Sequence, residues 1–362
     1  MVDSAGQAEA GSRGASGLGR AQQLMSAPRD LNADSAIGFL GGRLDLSPAS
    51  TACLLAGGVS NTVVLVEDGD QRIVLKQALP RLRVRDEWLA DRARVLREWE
   101  VIGALGAVLP KGRLPELLFC DEVNFLYAMR AAPAGSADWK TMLLAGRCDS
   151  ATARQAGATL GLAARATWGA AAFERSFSDR TAFDQLRTDP YYRTIARRHP
   201  CLADRVEYWI AESAMRNVAM VHGDWSPKNL LVGEAGMVCI DFECAHFGDP
   251  SYDAGFLLNH LILKAFHRPA IAGSYLGLAR AAFCWTLAML PPAGLSWFEA
   301  ASVRHLAFLM LARVDGKSPA EYLDEGKREA VRRLALCLID AEPRSLDATL
   351  AHAERALDGL AP

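Results

Sequence analysis

Two apolar, β-rich runs joined by a tight turn stand out in the first part of the chain. Residues 62–67 and 72–76 are rich in Val, Leu and Ile, and an Asp-Gly-Asp turn separates them at 68–70. This order predicts a β-hairpin. Residues 117–121 and 124–129 are two further runs of the same kind. We therefore expect a β-rich unit in the first third of the sequence.

Helical spacing of apolar positions dominates the rest of the chain. One such stretch, residues 87–105, lies inside the β-rich part and has charged residues between its apolar positions. Later segments of this kind are separated by polar or proline-containing breaks, and they cover residues 151–168, 206–220, 252–266, 273–290, 298–314 and 329–340. Ser345 is placed to cap one more helix. The C-terminal part is therefore expected to be mostly helical.

A second predicted hairpin has polar residues at both ends. Apolar runs at 230–232 and 237–240 flank a Gly-Glu-Ala-Gly turn, which is a hairpin pattern. Asn229 precedes the first strand and Asp241 follows the second, so the hairpin brings the two residues close together. Asp224 lies five residues before Asn229 on the same loop.

These three side chains fit phosphoryl transfer. Moving a γ-phosphoryl group requires metal ions over the phosphates and an acceptor oxygen held in line. Asp224 is the candidate base for the acceptor hydroxyl, and Asn229 and Asp241 are candidate ligands of Mg²⁺. The alternative is a surface loop with unrelated acids beside an ordinary hairpin, and the length and spacing of the whole string disfavour it.

The string at 221–229, together with residues 240–243 and 248–253, resembles the aminoglycoside phosphotransferase and small-molecule kinase superfamily, relatives of protein kinases. The resemblance implies a two-lobed, protein-kinase-like α+β fold, with a small β-rich N-lobe and a mostly helical C-lobe. The resemblance also implies that Asp224 is the base and that Asn229 and Asp241 are the ligands of Mg²⁺. Glu243, two residues beyond Asp241, becomes a candidate additional metal ligand.

The resemblance also implies supporting residues. His222 is expected to support the catalytic loop, and a structural role is favoured for it over a chemical one. Asp249 and Asp253 are expected to support the C-lobe in the same way.

A nucleotide-holding half is expected upstream. Gly57 and Gly58 lack a Cβ, which lets the backbone approach phosphate oxygens, and Ser60 and Asn61 complete this stretch. Lys76 ends the next strand, where kinases keep the lysine that binds the α- and β-phosphates of ATP. The alternatives are a plain turn and an exposed lysine at the end of an edge strand.

The partner of that lysine and the adenine site follow from the same resemblance. Glu98 and Glu100 compete as the helical glutamate that orients Lys76, and the match to the family pattern favours Glu98. The strand at 124–129 would end at the hinge between the lobes. Backbone groups of Met129 and Ala131 are therefore expected to hydrogen-bond adenine.

Length and composition agree with two lobes. A chain of 362 residues exceeds the usual size of one core, so we expect a nucleotide-binding N-lobe at 31–130 and a C-lobe at 131–362 that holds the catalytic loop and the acceptor site. Residues 1–30 are rich in Gly, Ala and Ser and lack the apolar stretch of a secretory signal. They are expected to be a disordered extension.

Charge and cysteine usage exclude some classes of partner. The net charge of −2 provides no basic field for nucleic acid, and no apolar run reaches the roughly 18 residues of a membrane span. Eight dispersed cysteines without a Cys-x-x-Cys pair favour reduced thiols in a cytoplasmic protein. The expected partners are ATP, Mg²⁺ and a small-molecule alcohol.

The acceptor is expected to be sugar-like. Residues 76–84 and 87–94 resemble the corresponding stretch of methylthioribose kinases, although the catalytic loop of that family does not usually keep an Asn where this chain has Asn229. Trp225 and Arg313 are candidate acceptor-binding residues. The alternatives are a core position for Trp225 and, for Arg313, a helix-terminal pair with Asp315.

Other functions are kept as alternatives. The segment 173–200 has more arginines than acids, which disfavours a polycationic aminoglycoside as acceptor. An antibiotic phosphotransferase and a nucleotide-binding pseudokinase without turnover remain the alternatives. A protein kinase is disfavoured by Ser226, where kinases place a lysine, by Asp-Phe-Glu at 241–243, and by the lack of an Ala-Pro-Glu segment after it.

Overall fold

The structure is a computed structural model that describes residues 28–55, 60–81, 83 and 91–360. Gly57 and Gly58 lie outside the described residues. So do residues 1–27 of the expected extension and residues 84–90, which include the start of the helix predicted at 87–105.

Five antiparallel strands form the sheet of the N-lobe, in the order β1-β2-β3-β5-β4. Their bounds are β1 Thr51–Leu54, β2 Asn61–Asp68, β3 Gln71–Ala78, β4 Leu117–Asp121 and β5 Leu126–Arg130. In the hairpin of β2 and β3, Asp68 is opposite Gln71, so the predicted Asp-Gly turn is confirmed. The two later strands are confirmed as well.

Short strands lie around the catalytic loop. They are β6 Ala137–Asp138, β7 Ala219–Val221, β8 Leu230–Gly233, β9 Gly236–Cys239 and β10 His246–Gly248. The predicted second hairpin is confirmed, because β8 pairs with β9 and Gly233 is opposite Gly236. β7 pairs antiparallel with β10.

Helices make up most of the C-lobe. Those of the described chain are α1 Ala33–Leu40, α2 Arg94–Gly106, α3 Trp139–Leu144, α4 Ser150–Thr167, α5 Ala171–Phe177, α6 Thr181–Phe183, α7 Thr194–Arg198, α8 Ala203–Ala214, α9 Ser251–His267, α10 Ala272–Met289, α11 Pro292–Leu295, α12 Phe298–Asp315, α13 Glu325–Ala341 and α14 Leu346–Asp358. A ten-residue π-helix, Asp184–Arg193, lies between α6 and α7.

The two faces of the N-lobe sheet have different neighbours because side chains alternate along a strand. Ile73 and Leu75 on β3 pack with Phe39 and Leu40 of α1 in one buried cluster. Lys76 is on the opposite face of β3, the face that meets α2. The pattern of β3 therefore delivers one charged side chain to the interior between the lobes.

The core of the C-lobe is built around α9, which is buried along almost its whole length. It packs between α10 and α12, and α10 also packs against α4. The expected α+β architecture, with a small antiparallel sheet and a mostly helical second lobe, is confirmed. The division at residue 130 stays a prediction. None of the described helices combines the length and apolarity that crossing a bilayer requires.

Two parts of the C-lobe differ from the expectation. The helix predicted at 206–220 ends at Ala214, and Ala219–Val221 is strand β7. Pairing with β10, continued by the Val218 N–H bond to the Gly248 carbonyl, overrides the helical periodicity there. The arginine-rich segment 173–200, for which no helix was predicted, is mostly helical and contains the π-helix.

Candidate active site

The backbone of the catalytic loop is fixed by a buried acid. Asp253, near the start of α9, accepts the N–H groups of His222 at 2.6 Å and Gly223 at 2.9 Å. Gly223 has a φ of +79°, and a Cβ there would come within 2.8 Å of the Cys244 carbonyl oxygen. Only glycine fits this close approach, so the strand β7 ends in a turn that presents the next residue, Asp224.

His222 joins the loop to the segment that carries Asp241. Its Nδ1 accepts the N–H of Asp224 at 3.1 Å, and its Nε2 lies 3.1 Å from the Ile240 carbonyl oxygen. These partners require one protonated ring nitrogen, which is the neutral ring. Burial lowers the pKa of His222 to about 4. The ring therefore has the supporting position expected for it.

The other expected support, Asp249, lies just before α9. One of its carboxylate oxygens accepts the N–H of Ser251 at 3.0 Å, and the other lies 3.4 Å from Arg216 Nη1 and 3.5 Å from His305 Nε2. These contacts hold the start of α9 in place behind the loop.

Two cations contact one oxygen of Asp224. Arg187 Nη2 lies 2.9 Å and Lys228 Nζ 2.8 Å from Oδ2, while Arg187 Nε donates to the Gly223 carbonyl at 2.7 Å. Burial opposes ionisation, but Lys228 and Arg187 keep the pKa of Asp224 below its usual value. Asp224 is thus ionised at neutral pH, and Oδ1 has no protein donor within the described part of the chain.

Sequence reasoning missed both cations. Lys228 lies two residues beyond Ser226, the position where protein kinases place their loop lysine, and Arg187 is one of several arginines in the segment 173–200. Arg187 comes from the π-helix and lies 36 residues before Gly223 in the chain. A basic residue near a catalytic loop is a weak signal, and only the folded chain shows its contact with Asp224.

Asn229 and Asp241 are neighbours, as the hairpin predicts. The Ile240 N–H donates to the Asn229 carbonyl at 3.0 Å, and Asn229 Nδ2 donates to the Asp224 carbonyl at 2.9 Å. Because Nδ2 makes this hydrogen bond, the amide oxygen of Asn229 is available to a metal ion. Asp241, with φ +74°, contacts Lys76 through Oδ1 at 2.6 Å, and its side chain keeps 19% exposure.

This donor set fits Mg²⁺. An amide oxygen and a carboxylate are hard ligands, and Mg²⁺ is usually bound by one or two protein carboxylates together with water and phosphates. Among the described residues no group of three or more His, Cys, Asp or Glu forms a ready metal cage. A site completed by nucleotide phosphates agrees with that arrangement.

Lys76 joins the nucleotide half to the catalytic half. Its Nζ lies 2.7 Å from Glu98 Oε2 and 2.6 Å from Asp241 Oδ1. Glu98 Oε1 also accepts the N–H of Phe242 at 3.0 Å. Of the two competing glutamates, Glu98 is the partner, because Glu100 is exposed.

The comparison with known families decides the class of enzyme. The sequence profile described as "Phosphotransferase enzyme family" matches residues 51–288, which include Lys76, Glu98 and the loop that carries Asp224, Asn229 and Asp241. The chain belongs to this phosphotransferase enzyme family. It is a phosphotransferase of the small-molecule kinase type, in which the acceptor group is an alcohol.

Individual relatives are more distant. The chain is 26% identical over 284 residues to a methylthioribose kinase of Escherichia coli O45:K1 (strain S88 / ExPEC), covering 68% of this chain and 67% of the relative. Two solved structures share the fold. Amicoumacin kinase hAmiN, in complex with AMP-PNP, Ca²⁺ and Ami, has a TM-score of 0.51 at 12% identity, covering 87% of this chain and 95% of that chain. Choline kinase from Cryptosporidium parvum Iowa II has a TM-score of 0.51 at 10% identity, covering 90% and 96%.

Within this phosphotransferase, Glu243 contacts protein groups through both carboxylate oxygens. Oε1 accepts from Ser60 Oγ at 2.8 Å, and Oε2 contacts Asn61 Nδ2 at 2.9 Å and Arg94 Nε at 3.1 Å. Both carboxylate oxygens of Glu243 are thus engaged by protein groups, which favours a structural role over the expected metal role. The side chains of Ser60 and Asn61, which were expected to bind ATP, instead join the start of β2 to the C-lobe.

The expected adenine contacts of the phosphotransferase also need correction. Met129 lies inside β5, opposite Val74 on one side and Leu117 on the other. The Ala131 N–H donates to the Arg72 carbonyl at 2.9 Å, which continues the sheet and removes that donor. The following connection, residues 132–136, lies outside this strand pairing.

Of the two acceptor candidates, Trp225 lies in the core, and Arg313 is partly exposed and is not paired with Asp315. Trp225 is 3% exposed, packs against His222 and lines a small apolar cavity behind the catalytic loop with Phe242. It is a core residue. Arg313 bonds the hydroxyl of Ser318 at 2.8 Å, and its suggested partner Asp315 is taken by Arg332 and His199.

Proposed function

We propose that this phosphotransferase moves the γ-phosphoryl group of ATP, with Mg²⁺, to a hydroxyl group of a small, sugar-like molecule. One observation carries the proposal. Lys76 Nζ contacts both Glu98 and Asp241, so the phosphate-binding lysine and the metal-binding acid meet on the same side of the catalytic loop. Asp224 and Asn229 belong to that loop.

The nucleotide would lie between the lobes. Lys76 would bind the α- and β-phosphates, oriented by Glu98, and the backbone of residues 132–136 would read the adenine. The amicoumacin kinase of the same fold was solved with AMP-PNP and Ca²⁺, which supports a nucleotide and a divalent ion here. The amide oxygen of Asn229 and the carboxylate of Asp241 would hold Mg²⁺. Bound there, Mg²⁺ neutralises charge on the β- and γ-phosphates.

The chain's own residues would carry the proton and the acceptor. The acceptor hydroxyl would lie against Oδ1 of Asp224, the oxygen that neither Arg187 nor Lys228 contacts. The acceptor oxygen forms a bond to the γ-phosphorus, the bond from that phosphorus to the bridging oxygen of ADP breaks, and the hydroxyl proton passes to Asp224. Lys228 is close enough to counter charge on the transferred group.

The acceptor class follows from similarity to characterised relatives. Similarity to a methylthioribose kinase favours a sugar-like alcohol of the methylthioribose type. Similarity of fold to amicoumacin kinase keeps an antibiotic acceptor as the second candidate. A pseudokinase is disfavoured, because a protein without turnover has no physical need for Lys76, Asp224, Asn229 and Asp241 together.

The test is acceptor-dependent ADP formation. Wild type and Asp224→Ala are compared on a panel of sugars, including methylthioribose, amino alcohols and aminoglycosides, with Mg²⁺-AMP-PNP binding measured by calorimetry on both proteins. We expect both proteins to bind the nucleotide and only wild type to phosphorylate an acceptor. Equal turnover by the two proteins, or binding without turnover on any acceptor, would remove the assignment.

A further inference from the structure

Several basic side chains lie together beside the catalytic loop. We call them the basic cluster: Lys140 on α3, Lys228 on the loop, Lys264 on α9 and Arg313 on α12. His260 on α9 lies near them and is neutral, because burial and the charges of these residues lower its pKa well below its usual value. The elements meet there: α3 packs against the turn at 227–229, α9 packs against α12, and Arg268, directly after α9, donates to the Leu144 carbonyl of α3 at 3.2 Å. Since Lys228 contacts Asp224 at 2.8 Å, the basic cluster borders the position of the reacting hydroxyl.

Lys264 is a buried lysine that pairs with no carboxylate in the described part of the chain. Its side chain has no exposed surface, and its Nζ donates to the His260 carbonyl at 3.1 Å and lies 5.4 Å from the ring centre of Tyr322. A buried charge is costly unless an opposite charge compensates it. Burial and the charges of Arg313 and Lys140 lower the pKa of Lys264 to about 7.

Arg313 shows the same lack of compensation. Its guanidinium bonds only the carbonyl and hydroxyl of Ser318 among the described residues. Its Nε and the hydroxyl of Tyr322 are both buried without a hydrogen-bond partner in the described structure. Buried polar atoms normally have partners, so these unpaired groups at one place point to a ligand.

Asp224 compensates Lys228, but the acids near the other members of the basic cluster form no ion pair with them within the described structure. Asp138 is close enough to act on Lys264, but its carboxylate caps α3 by accepting from Thr141 N at 2.8 Å and Thr141 Oγ1 at 2.7 Å. Asp315, two residues beyond Arg313, is held by Arg332 at 2.7 Å. Among the described residues, Lys140, Lys264 and Arg313 therefore have no carboxylate within salt-bridge distance, and their charge is available to an anionic ligand.

We infer that the acceptor carries an anionic group, a carboxylate or a phosphate, which binds at the basic cluster while its hydroxyl faces Asp224. This inference rests on the proposed phosphotransfer and names its substrate class. Lys140 and Lys228 are exposed and His260 and Arg313 are partly exposed, so a ligand can reach them. Lys264 is buried behind these residues and, when protonated, adds to the positive electrostatic potential at the ligand. A polycationic acceptor would meet repulsion at the same surface.

The experiment uses small alcohols that differ in charge. Glycerate and glycerol 3-phosphate are anionic, glycerol is neutral and serinol is cationic. Acceptor-dependent ADP formation and binding to the protein saturated with AMP-PNP are measured for each at fixed free Mg²⁺. We expect kcat/KM and affinity for at least one anion to exceed those for glycerol and serinol by about ten-fold or more, and the two anions separate a carboxylate from a phosphate site.

Variants connect the preference to the basic cluster. Arg313→Gln should reduce the advantage of the anion by about ten-fold, while Arg313→Lys keeps much of it. Arg333→Gln, which removes an exposed charge on α13, is the matched control and should change nothing. Lys140→Gln, on the surface, gives a second readout if Arg313→Gln does not fold. The affinity for AMP-PNP should stay constant in all of them.

Two results would overturn the inference: equal or better use of glycerol or serinol, or no binding of either anion. Failure of the proposed function looks different. In that case the anion binds and depends on Arg313, but no ADP is formed on any acceptor.

Discussion

The ammonium of Lys228 contacts Oδ2 of Asp224 at 2.8 Å, across four positions of the chain. The turn at Pro227–Asn229 folds the loop back and makes this contact. The lysine therefore lies beside the proposed base although protein kinases place their loop lysine two residues nearer to the aspartate. Its side chain is 52% exposed, so it can move from Asp224 to a phosphate oxygen without disturbing the core.

Lys228→Met should lower kcat by about 100-fold, because a cation that counters charge on the transferred group is lost. Removing it also raises the pKa of Asp224, since Lys228 is among the groups that keep this pKa low. The acid limb of kcat/KM should therefore move to higher pH. Steady-state kinetics from pH 5 to pH 8 measure both effects, and Lys228→Arg is the control that should keep most activity. An unchanged kcat in Lys228→Met would contradict this role.

Arg187 should be needed for both stability and turnover. It holds Asp224 and the Gly223 carbonyl at once from a largely buried position. Arg187→Met leaves a buried carboxylate with one cation fewer, so we expect a loss of about 3 kcal/mol in the free energy of unfolding. Arg187→Lys should not recover the lost stability, because an ammonium group lacks the planar guanidinium that contacts Asp224 and the Gly223 carbonyl together. Urea unfolding measures this, with the exposed Arg197→Met as control; equal stability of all variants would refute it.

Substitutions at Glu243 and Asp241 should differ in their effect on the Mg²⁺ concentration that the enzyme requires. Asp241→Asn removes a proposed ligand and should raise the Mg²⁺ concentration for half-maximal activity by more than about 10-fold. Glu243→Gln should leave that concentration within about 3-fold of wild type, because its carboxylate contacts Ser60, Asn61 and Arg94. Mg²⁺ titrations of activity separate the two roles. If Glu243→Gln also raised the Mg²⁺ concentration for half-maximal activity by more than about 10-fold, Glu243 would be a metal ligand.

Lys264 should make stability depend on pH. Its folded-state pKa is lowered to about 7 by burial and by Arg313 and Lys140, whereas an unfolded lysine titrates near about 10.4. Between these values the unfolded chain binds the extra proton, so the contribution of this group to stability rises with pH. Lys264→Met should remove the rise. Between pH 7 and pH 9.5, the unfolding free energy of wild type should rise by more than about 1 kcal/mol relative to that of the variant. A difference that is the same at both pH values would contradict the lowered pKa of Lys264.

The sequence was sufficient where local pattern and position decide the structure. The hairpin turn at residues 68–70 and the hairpin after Asn229 follow from turn chemistry and alternation. The pair of Lys76 and Glu98 follows from family position. These features need only neighbours in the chain or a conserved order of elements that the resemblance supplies.

Contacts between segments that are far apart in the chain could not be predicted from the sequence. The direction of the Glu243 side chain is set by Arg94, 149 residues earlier, and nothing in the letters around Glu243 indicates this partner. Arg187 depends on a π-helix whose sequence has no distinctive period. Lys264 is an ordinary polar position on a helical pattern, and its lack of an acid partner exists only once α9, α12 and α3 have packed together.

Direct observation of the transferred phosphate tests the central claim. Wild type and Asp224→Asn are incubated with Mg²⁺-ATP and the best acceptor found, and ³¹P NMR follows the γ-phosphate. We predict that wild type converts this signal into that of a phosphomonoester of the acceptor, and that Asp224→Asn forms it more than about 100-fold more slowly while binding the nucleotide equally well. Equal rates in the two proteins, or release of inorganic phosphate alone, would contradict the account.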